Sequence, residues 1–444
     1  MADSSLSNRD RRDLPLPTCA TEEMRYRDRM RQMNPAQLRD HQLLRLNALL
    51  ASALDNQPLY QARLAGLTLP LADLSQLSVL PFLEKPDLLP GLPATICGWD
   101  RSCYVHAHQT SGTTGNPILL LDSEVDWRWW ISTWQYVLDA ADATNRDTAF
   151  MAFSYGPFIG FWSAHDALVQ RGALVVPGGG MTSLARLHAM AACDASILCC
   201  TPTYALHLAT VARQADFDLA NSKVSRIIVA GESGGSIPEV RARIESAWRA
   251  RVVDHCGATE VGPWGIGDVD GQGVHVIESE FIAEPIVFDD RSPRGRKADD
   301  GELAELVLTG LGRHGAPAIR YRTGDLVRAE PSRNPENRFL FLRGGVIGRV
   351  DDMVVIRGVN VFPTSVEAIV RRVAGDAEYR VTRSRLEEMD QLRIEIEGEV
   401  AMARRLHDAF REQLGLRIDV SSVDEGTLPR FEGKAKRWIN PLNR

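Results

Sequence analysis

One pattern limits what this chain can fold into more than any other. Five times in its middle, a short apolar run ends in a break rich in Gly, Pro, Ser or Thr, and a helical stretch follows. Phe150–Phe153 leads to Ser154-Tyr155-Gly156-Pro157, and Ala173–Val176 leads to Pro177-Gly178-Gly179-Gly180. Ile197–Cys200 leads to Thr201-Pro202-Thr203, and Ile227–Ala230 leads to Gly231-Glu232-Ser233-Gly234-Gly235. Val252–Asp254 leads to His255-Cys256-Gly257-Ala258-Thr259-Glu260. Short strands separated by helices are βαβ units, so the expected class is α/β with mostly parallel sheets and flanking helices. Ligands of such sheets sit beyond the carboxyl ends of the strands. All five breaks lie at that edge and can share one cleft.

A second stretch has the chemistry to use such a cleft. It runs His106-Ala107-His108-Gln109-Thr110-Ser111-Gly112-Thr113-Thr114-Gly115-Asn116-Pro117. Gly112 and Gly115 free the backbone for positive φ and close approach to a ligand. Successive inward N–H groups make a concavity for anions, and Ser111, Thr113 and Thr114 add hydroxyl donors. No Gly-Lys-Ser/Thr follows, so this is not the lysine-bearing phosphate loop of the NTPases. By composition alone it is an ordinary Gly/Ser/Thr loop. Its meaning depends on the rest of the chain.

At 444 residues the chain is long enough for two to four domains. Leucines from 38 to 54 recur at helical spacing, so Pro35–Leu54 reads as an amphipathic helix. Residues 1–34 read as a polar arm. Trp127, Trp130 and Trp134 fall on one helix face and read as core. After Phe281 the pattern turns to alternating strands, such as Gly301–Leu308. Beyond Asp351, about ninety residues carry their own helices (365–373, 402–413) and strands (391–397, 416–420), enough for a small α+β domain. The expected division is therefore 1–350 and 351–444.

Composition excludes several partner classes. Net charge is −7, which gives no reason to expect nucleic acid or an anionic membrane. No apolar run reaches transmembrane length. The seven cysteines are odd in number and show no metal spacing, as expected of reduced thiols in the cytoplasm. Of 51 basic residues only Lys85, Lys223, Lys297, Lys434 and Lys436 are lysine. A lysine kept in such a chain favours a need for a compact ammonium over a planar fork.

The ordered set TSGTTGNP, HCGATE, YRTGDL, GRVDDMVVIRGVNVFP and GKAKR resembles the acyl-adenylate-forming superfamily, and its phenylacetate–CoA ligase branch most. The resemblance runs from about residue 36 to 438. It implies a large N-terminal adenylation domain, a small mobile C-terminal lid and two steps. A carboxylate attacks ATP to give acyl-AMP and pyrophosphate, and a thiol, usually that of CoA, then takes the acyl group. The implied small molecules are ATP, Mg²⁺, CoA and a small carboxylic acid. A homodimer is expected by family analogy alone.

Carried over by motif, Thr110, Ser111, Gly112, Thr113, Thr114 and Gly115 hold the β- and γ-phosphates. Glu260 matches the magnesium carboxylate, and Thr259 an α-phosphate contact. Asp325 accepts from the ribose hydroxyls, with Arg349 as a second ribose or phosphate contact. Gly231, Glu232, Asp254, Cys256 and Gly257 border the nucleotide. Lys434 bridges the α-phosphate and the acid, with Lys436 its rival, and Asp351 is the hinge. Relatives carry an aromatic residue that stacks on adenine where this chain has Cys256, a small thiol expected to be buried and inert. Tyr155, Phe158, Phe161, Ala230, Pro263 and Trp264 border the acyl pocket, and these aromatics suit a flat apolar acid. His165 and His275 read as ordinary polar histidines. The leading expectation is an AMP-forming aryl or arylacetic acid–CoA ligase. One alternative passes the acyl group to a carrier protein, amine or alcohol. Another is a non-catalytic nucleotide sensor, against which Glu260, Asp325 and Lys434 stand.

Overall fold

The computed structural model describes residues 19–89, 97–110, 117–153, 155–157, 159–289, 292–356, 359–386, 389–431 and 435–439. Its centre is the strand–helix alternation read from the sequence. Strands Thr148–Met151, Leu174–Pro177, Ile197–Cys200, Arg226–Val229 and Arg251–Ala258 pair in parallel. Side chains alternate between the two faces of these strands. Ile197 and Cys199 join one buried cluster with helices Glu124–Ala140 and Ile159–Arg171. Leu198 and Cys200 join a second with helices Ser183–Ala192, Pro202–Gln214 and Pro238–Trp248. Helices on both faces explain why the strands read as continuous apolar runs rather than alternating ones.

Beyond Arg251–Ala258 the same sheet continues with antiparallel strands. Gly262–Gly267 and Gly273–Val276 follow, then Phe341–Arg343, Tyr321–Glu330, Leu303–Gly310, Phe281–Asp289 and Ser292–Lys297. The sheet thus changes from parallel to antiparallel beside the turn that carries Thr259 and Glu260.

Two features were not legible in the sequence pattern. The hydroxyl-rich loop follows no strand of the parallel block. It joins Tyr104–Gln109 to Leu119–Ser123, an antiparallel two-stranded ribbon of its own. Of the polar arm expected over 1–34, residues 1–18 lie outside the described residues, and Cys19–Arg31 is a helix. Arg27 and Arg31 of that helix, with Arg171, surround Asp139 at 2.6 to 3.1 Å. Burial works to raise the Asp139 pKa, but the three guanidinium groups hold it below the usual range. A polar segment is thereby ordered through ion pairs that composition does not reveal.

Helix Pro35–Asn56 starts at Asn34, whose side chain accepts from Ala36 N and Gln37 N in a capping box. Trp127, Trp130 and Trp134 are all buried, as expected of core residues. A third buried cluster, from Val354 to Ile418, belongs to the C-terminal part of the chain. There helices Pro363–Ala374 and Val400–Leu414 cover a sheet ordered Asp419–Val423, Met389–Glu397, Tyr379–Leu386 and Trp438–Ile439. No helix of the described residues is long and apolar enough to cross a membrane.

Candidate active site

Thr259 and Glu260 lie in a tight turn between Arg251–Ala258 and Gly262–Gly267, closed by Val261 N donating to Ala258 O at 3.2 Å. Gly262 has φ +137°, and a Cβ there would meet Trp129 and Phe281 below 3.0 Å, so the turn requires glycine. The turn is held from behind. Arg313 Nη1 donates to Thr259 O at 2.8 Å, and Arg313 Nη2 donates to Asp122 Oδ2 at 2.9 Å. Arg313 and Asp122 are both fully buried. Burial works to raise the Asp122 pKa, but Arg313 and His108 hold it below the usual range. Asp122 belongs to the ribbon that ends in the hydroxyl-rich loop. One buried ion pair therefore ties that ribbon to the Thr259–Glu260 turn.

Glu260 Oε1 accepts from the Tyr321 hydroxyl at 3.3 Å. Tyr321 opens the strand that carries Asp325, so Glu260 and Asp325 are linked through one strand. Asp325 pairs in register with Arg349, and Arg349 Nη1 donates to Asp325 Oδ1 at 2.8 Å. Cys256 lies between Asp254 and Asp325. Cys256 is half-buried; burial first, and those two carboxylates next, push its thiol pKa well up, which favours the neutral thiol. Asp254 accepts from Ser236 Oγ at 2.6 Å and from His255 N at 3.0 Å, so both of its carboxylate oxygens have protein donors. Gly257 is exposed beside it.

At the next strand end Gly231 has φ +92°, and Ala230 N donates to Cys200 O at 3.2 Å. Glu232 Oε1 accepts from Thr203 N at 2.7 Å. Thr110 keeps the base of the hydroxyl-rich loop closed: its N–H donates to Ile118 O, and its Oγ1 accepts from Ile118 N, both at 3.0 Å. Gln109 N donates to Pro157 O at 2.8 Å, joining this ribbon to the loop after Met151. Ser111, Gly112, Thr113, Thr114, Gly115, Phe158 and Lys434 lie outside the described residues, as does the side chain of Phe161.

Tyr155 packs against Phe153, Trp162 and His165. Pro263 and Trp264 are buried, and Trp264 belongs to the cluster on which Tyr155 packs. His165 pairs with Asp166 at 2.9 Å. His275 is buried between Phe339 O and Asp268, in a structural position. Asp351 is exposed, in a turn where Asp352 N and Met353 N both donate to Arg349 O.

Two groups that matter here were not singled out from sequence. Tyr321 lies inside the YRTGDL stretch and was within reach of that reasoning. Arg313, in Gly312-Arg313-His314-Gly315, reads as a charged surface turn, and only its burial reveals it. Among the described residues no group of three or more His, Cys, Asp or Glu is arranged to hold a metal ion. A single carboxylate at Glu260 still fits Mg²⁺, a hard ion that binds proteins through one or two carboxylates and otherwise through phosphates and water.

His255 adds a pH dependence. It is buried, with Nδ1 2.7 Å from Gly265 O, and burial lowers its pKa to about 4. Below the ordinary value the unfolded chain binds a proton that the folded protein refuses. The stabilisation is therefore full above about pH 6.5 and is lost as pH falls toward 4. Relative to His255→Gln, the wild type should lose about 3 kcal/mol between pH 7 and 4 in denaturant titrations. A pH-independent difference would refute this.

The C-terminal part matches the family model of the AMP-binding enzyme C-terminal domain over residues 358–441. The whole chain is 30% identical to a phenylacetate–coenzyme A ligase of Pseudomonas putida, with 90% of this chain and 93% of that protein covered. It is 28% identical to the enzyme of the same name from Escherichia coli (strain K12), with 90% and 94% covered. A solved 2-hydroxyisobutyryl-CoA ligase in the postadenylation state, bound to 2-HIB-AMP, superposes with TM-score 0.85 at 25% identity, covering 93% of this chain and 91% of that one. The same enzyme in the thioesterification state, with 2-HIB-AMP and CoA, superposes with TM-score 0.69 at 26% identity over the same coverage.

Proposed function

The chain belongs to the acyl-adenylate-forming family, in its phenylacetate–CoA ligase-like branch, and from that premise we propose that it activates an aryl or arylacetic acid with ATP and transfers the acyl group to CoA. The observation that carries the proposal is the linkage of Glu260, Asp325 and Arg349 through Tyr321 and one strand, at the edge where the parallel strands end. This arrangement suits in-line attack on an α-phosphate, where positioning and electrostatics do most of the catalysis.

In this mechanism Glu260 holds Mg²⁺, which when bound neutralises phosphate charge. Thr110 to Gly115 orient the β- and γ-phosphates, and Thr259 meets the α-phosphate. Asp325 accepts from the ribose hydroxyls, and Arg349 donates to that carboxylate and holds it in place. The backbone around Gly231, Asp254, Cys256 and Gly257 borders adenine. Lys434 follows the charge moving between acid and phosphate, as a compact ammonium can. Tyr155, Phe158, Phe161, Ala230, Pro263 and Trp264 line the acid pocket. Residues 351–444 act as the lid, turning about Asp351 between the two half-reactions.

A pyrophosphate-release screen over aromatic and aliphatic acids, with and without CoA, tests this. The expected result is release with an aryl or arylacetic acid, and a CoA thioester when CoA is present. Release without a thioester would point to a carrier protein, amine or alcohol as acceptor. No release with any acid would favour a nucleotide sensor.

Cys256 leaves adenine without an aromatic partner. Cys256→Tyr should lower the KM for ATP by roughly 2- to 10-fold, the range of one aromatic stacking contact. An unchanged or raised KM would argue against Cys256 as the adenine-facing position.

A further inference from the structure

Glu232 makes a contact that no motif announces. Its Oε1 accepts from Thr203 N at 2.7 Å, in the first turn of helix Pro202–Gln214, where the helix dipole favours a negative charge. Its Oε2 accepts from Ala435 N at 3.1 Å. Thr203 belongs to the large N-terminal part and Ala435 to the C-terminal part. One carboxylate thus spans the two, with an oxygen committed to each.

Among the described residues, the other polar contacts between these parts include Thr364 Oγ1 donating to Ile347 O, and ion pairs of Asp376 with Arg243 and Arg213 and of Glu239 with Arg372. Arg372 and Arg213 are exposed. Such pairs are screened by solvent and hold weakly. Glu232 is half-buried, and burial pushes its pKa up against the hydrogen bonds that lower it. Its position along the chain also matters. Ala435 lies between Lys434 and Lys436 in the chain, so the bond to its N–H is made one residue from the proposed catalytic lysine.

The whole chain superposes better on a relative in the postadenylation state than on the same relative in the thioesterification state. The contact therefore belongs to the adenylation side of the cycle. Rotation of the lid would take Ala435 away and return Oε2 to water.

We propose that Glu232 is a positioning residue that latches the C-terminal domain in the adenylation posture through the Ala435 amide, rather than a contact to adenine. The proposal rests on the ligase reading above. Its experiment separates the two half-reactions. In Glu232→Gln one acceptor oxygen becomes an NH₂ group facing a backbone N–H. Acid-dependent pyrophosphate exchange should fall about tenfold or more, the usual weight of a hydrogen bond to a charged group. The KM for ATP should hold, and thioester formation from purified acyl-AMP and CoA should stay within about twofold.

Ala435→Pro deletes the donor, leaves Glu232 intact and should give the same selective loss. Hydrogen exchange of the peptide containing Ala435 gives a readout independent of activity and should speed up in Glu232→Gln. Equal losses in both half-reactions, a raised KM for ATP, or unchanged exchange at Ala435 would each overturn the latch. Absence of exchange activity in the wild type with every acid would instead defeat the ligase reading, and the hydrogen-exchange comparison would still decide the latch.

Discussion

Replacing Lys434 by alanine is expected to lower acid-dependent pyrophosphate exchange by about 10²- to 10³-fold while ATP still binds, the effect of removing one preorganised charge from a phosphoryl transition state. The ammonium is needed only as charge moves between the carboxylate and the α-phosphate, so ground-state binding should change little. The residues that follow it are anchored. Ala435 N donates to Glu232, and Arg437 is paired with the buried Glu378. Lys436 is exposed, and Lys436→Ala should keep exchange within about twofold. Single-turnover measurement of acyl-AMP formation, beside equilibrium ATP binding, checks both variants. Full activity in Lys434→Ala, or a loss confined to Lys436→Ala, would remove Lys434 from the role.

Arg313→Met should be the most destabilising single change at the site, at about 3–5 kcal/mol, because it strands the buried Asp122 carboxylate without its cation. Asp122 would keep Trp130 Nε1 at 3.2 Å as a donor, with His108 3.8 Å away. These are weaker partners for a fully buried charge. The same variant frees the Thr259 carbonyl, so adenylation should fall along with stability. The double variant Arg313→Met/Asp122→Leu removes both charges and should recover most of the lost stability, since apolar replacements of a buried pair are commonly neutral. Denaturant midpoints of the three proteins decide it. A cost for Arg313→Met no larger than a surface substitution, about 0.5 kcal/mol, would show that the pair does not hold the site together.

Much of the fold was legible because its signals are local. The apolar runs ending at Phe153, Val176, Cys200, Ala230 and Asp254 announced strands, because residues buried on both faces leave no polar alternation. The C-terminal helices and strands lie within a few residues of their expected bounds. The N-terminal helix was not legible. Its stability comes from Arg27 and Arg31 meeting Asp139, more than a hundred residues away, and polar composition conceals that. The hydroxyl-rich loop was recognised by its residues, but its place between two antiparallel strands was not legible. A Gly-rich turn looks alike whether it caps a parallel strand or closes a ribbon, since backbone freedom does not encode the pairing partner.

By itself the sequence determined the class of fold and the order of the motifs. Both follow from side-chain periodicity and from short-range demands on the backbone. It also pointed, on family resemblance, to Lys434, Glu260 and Thr259 as catalytic and to Asp325 and Arg349 as nucleotide contacts. Only the tertiary structure decided how the site is braced. Arg313 and Asp122 are 191 residues apart, and Glu232 and Ala435 are 203 apart. Whether a charged side chain is a solvated surface group or a buried tie depends on which distant segment covers it, and that is a property of the packed chain.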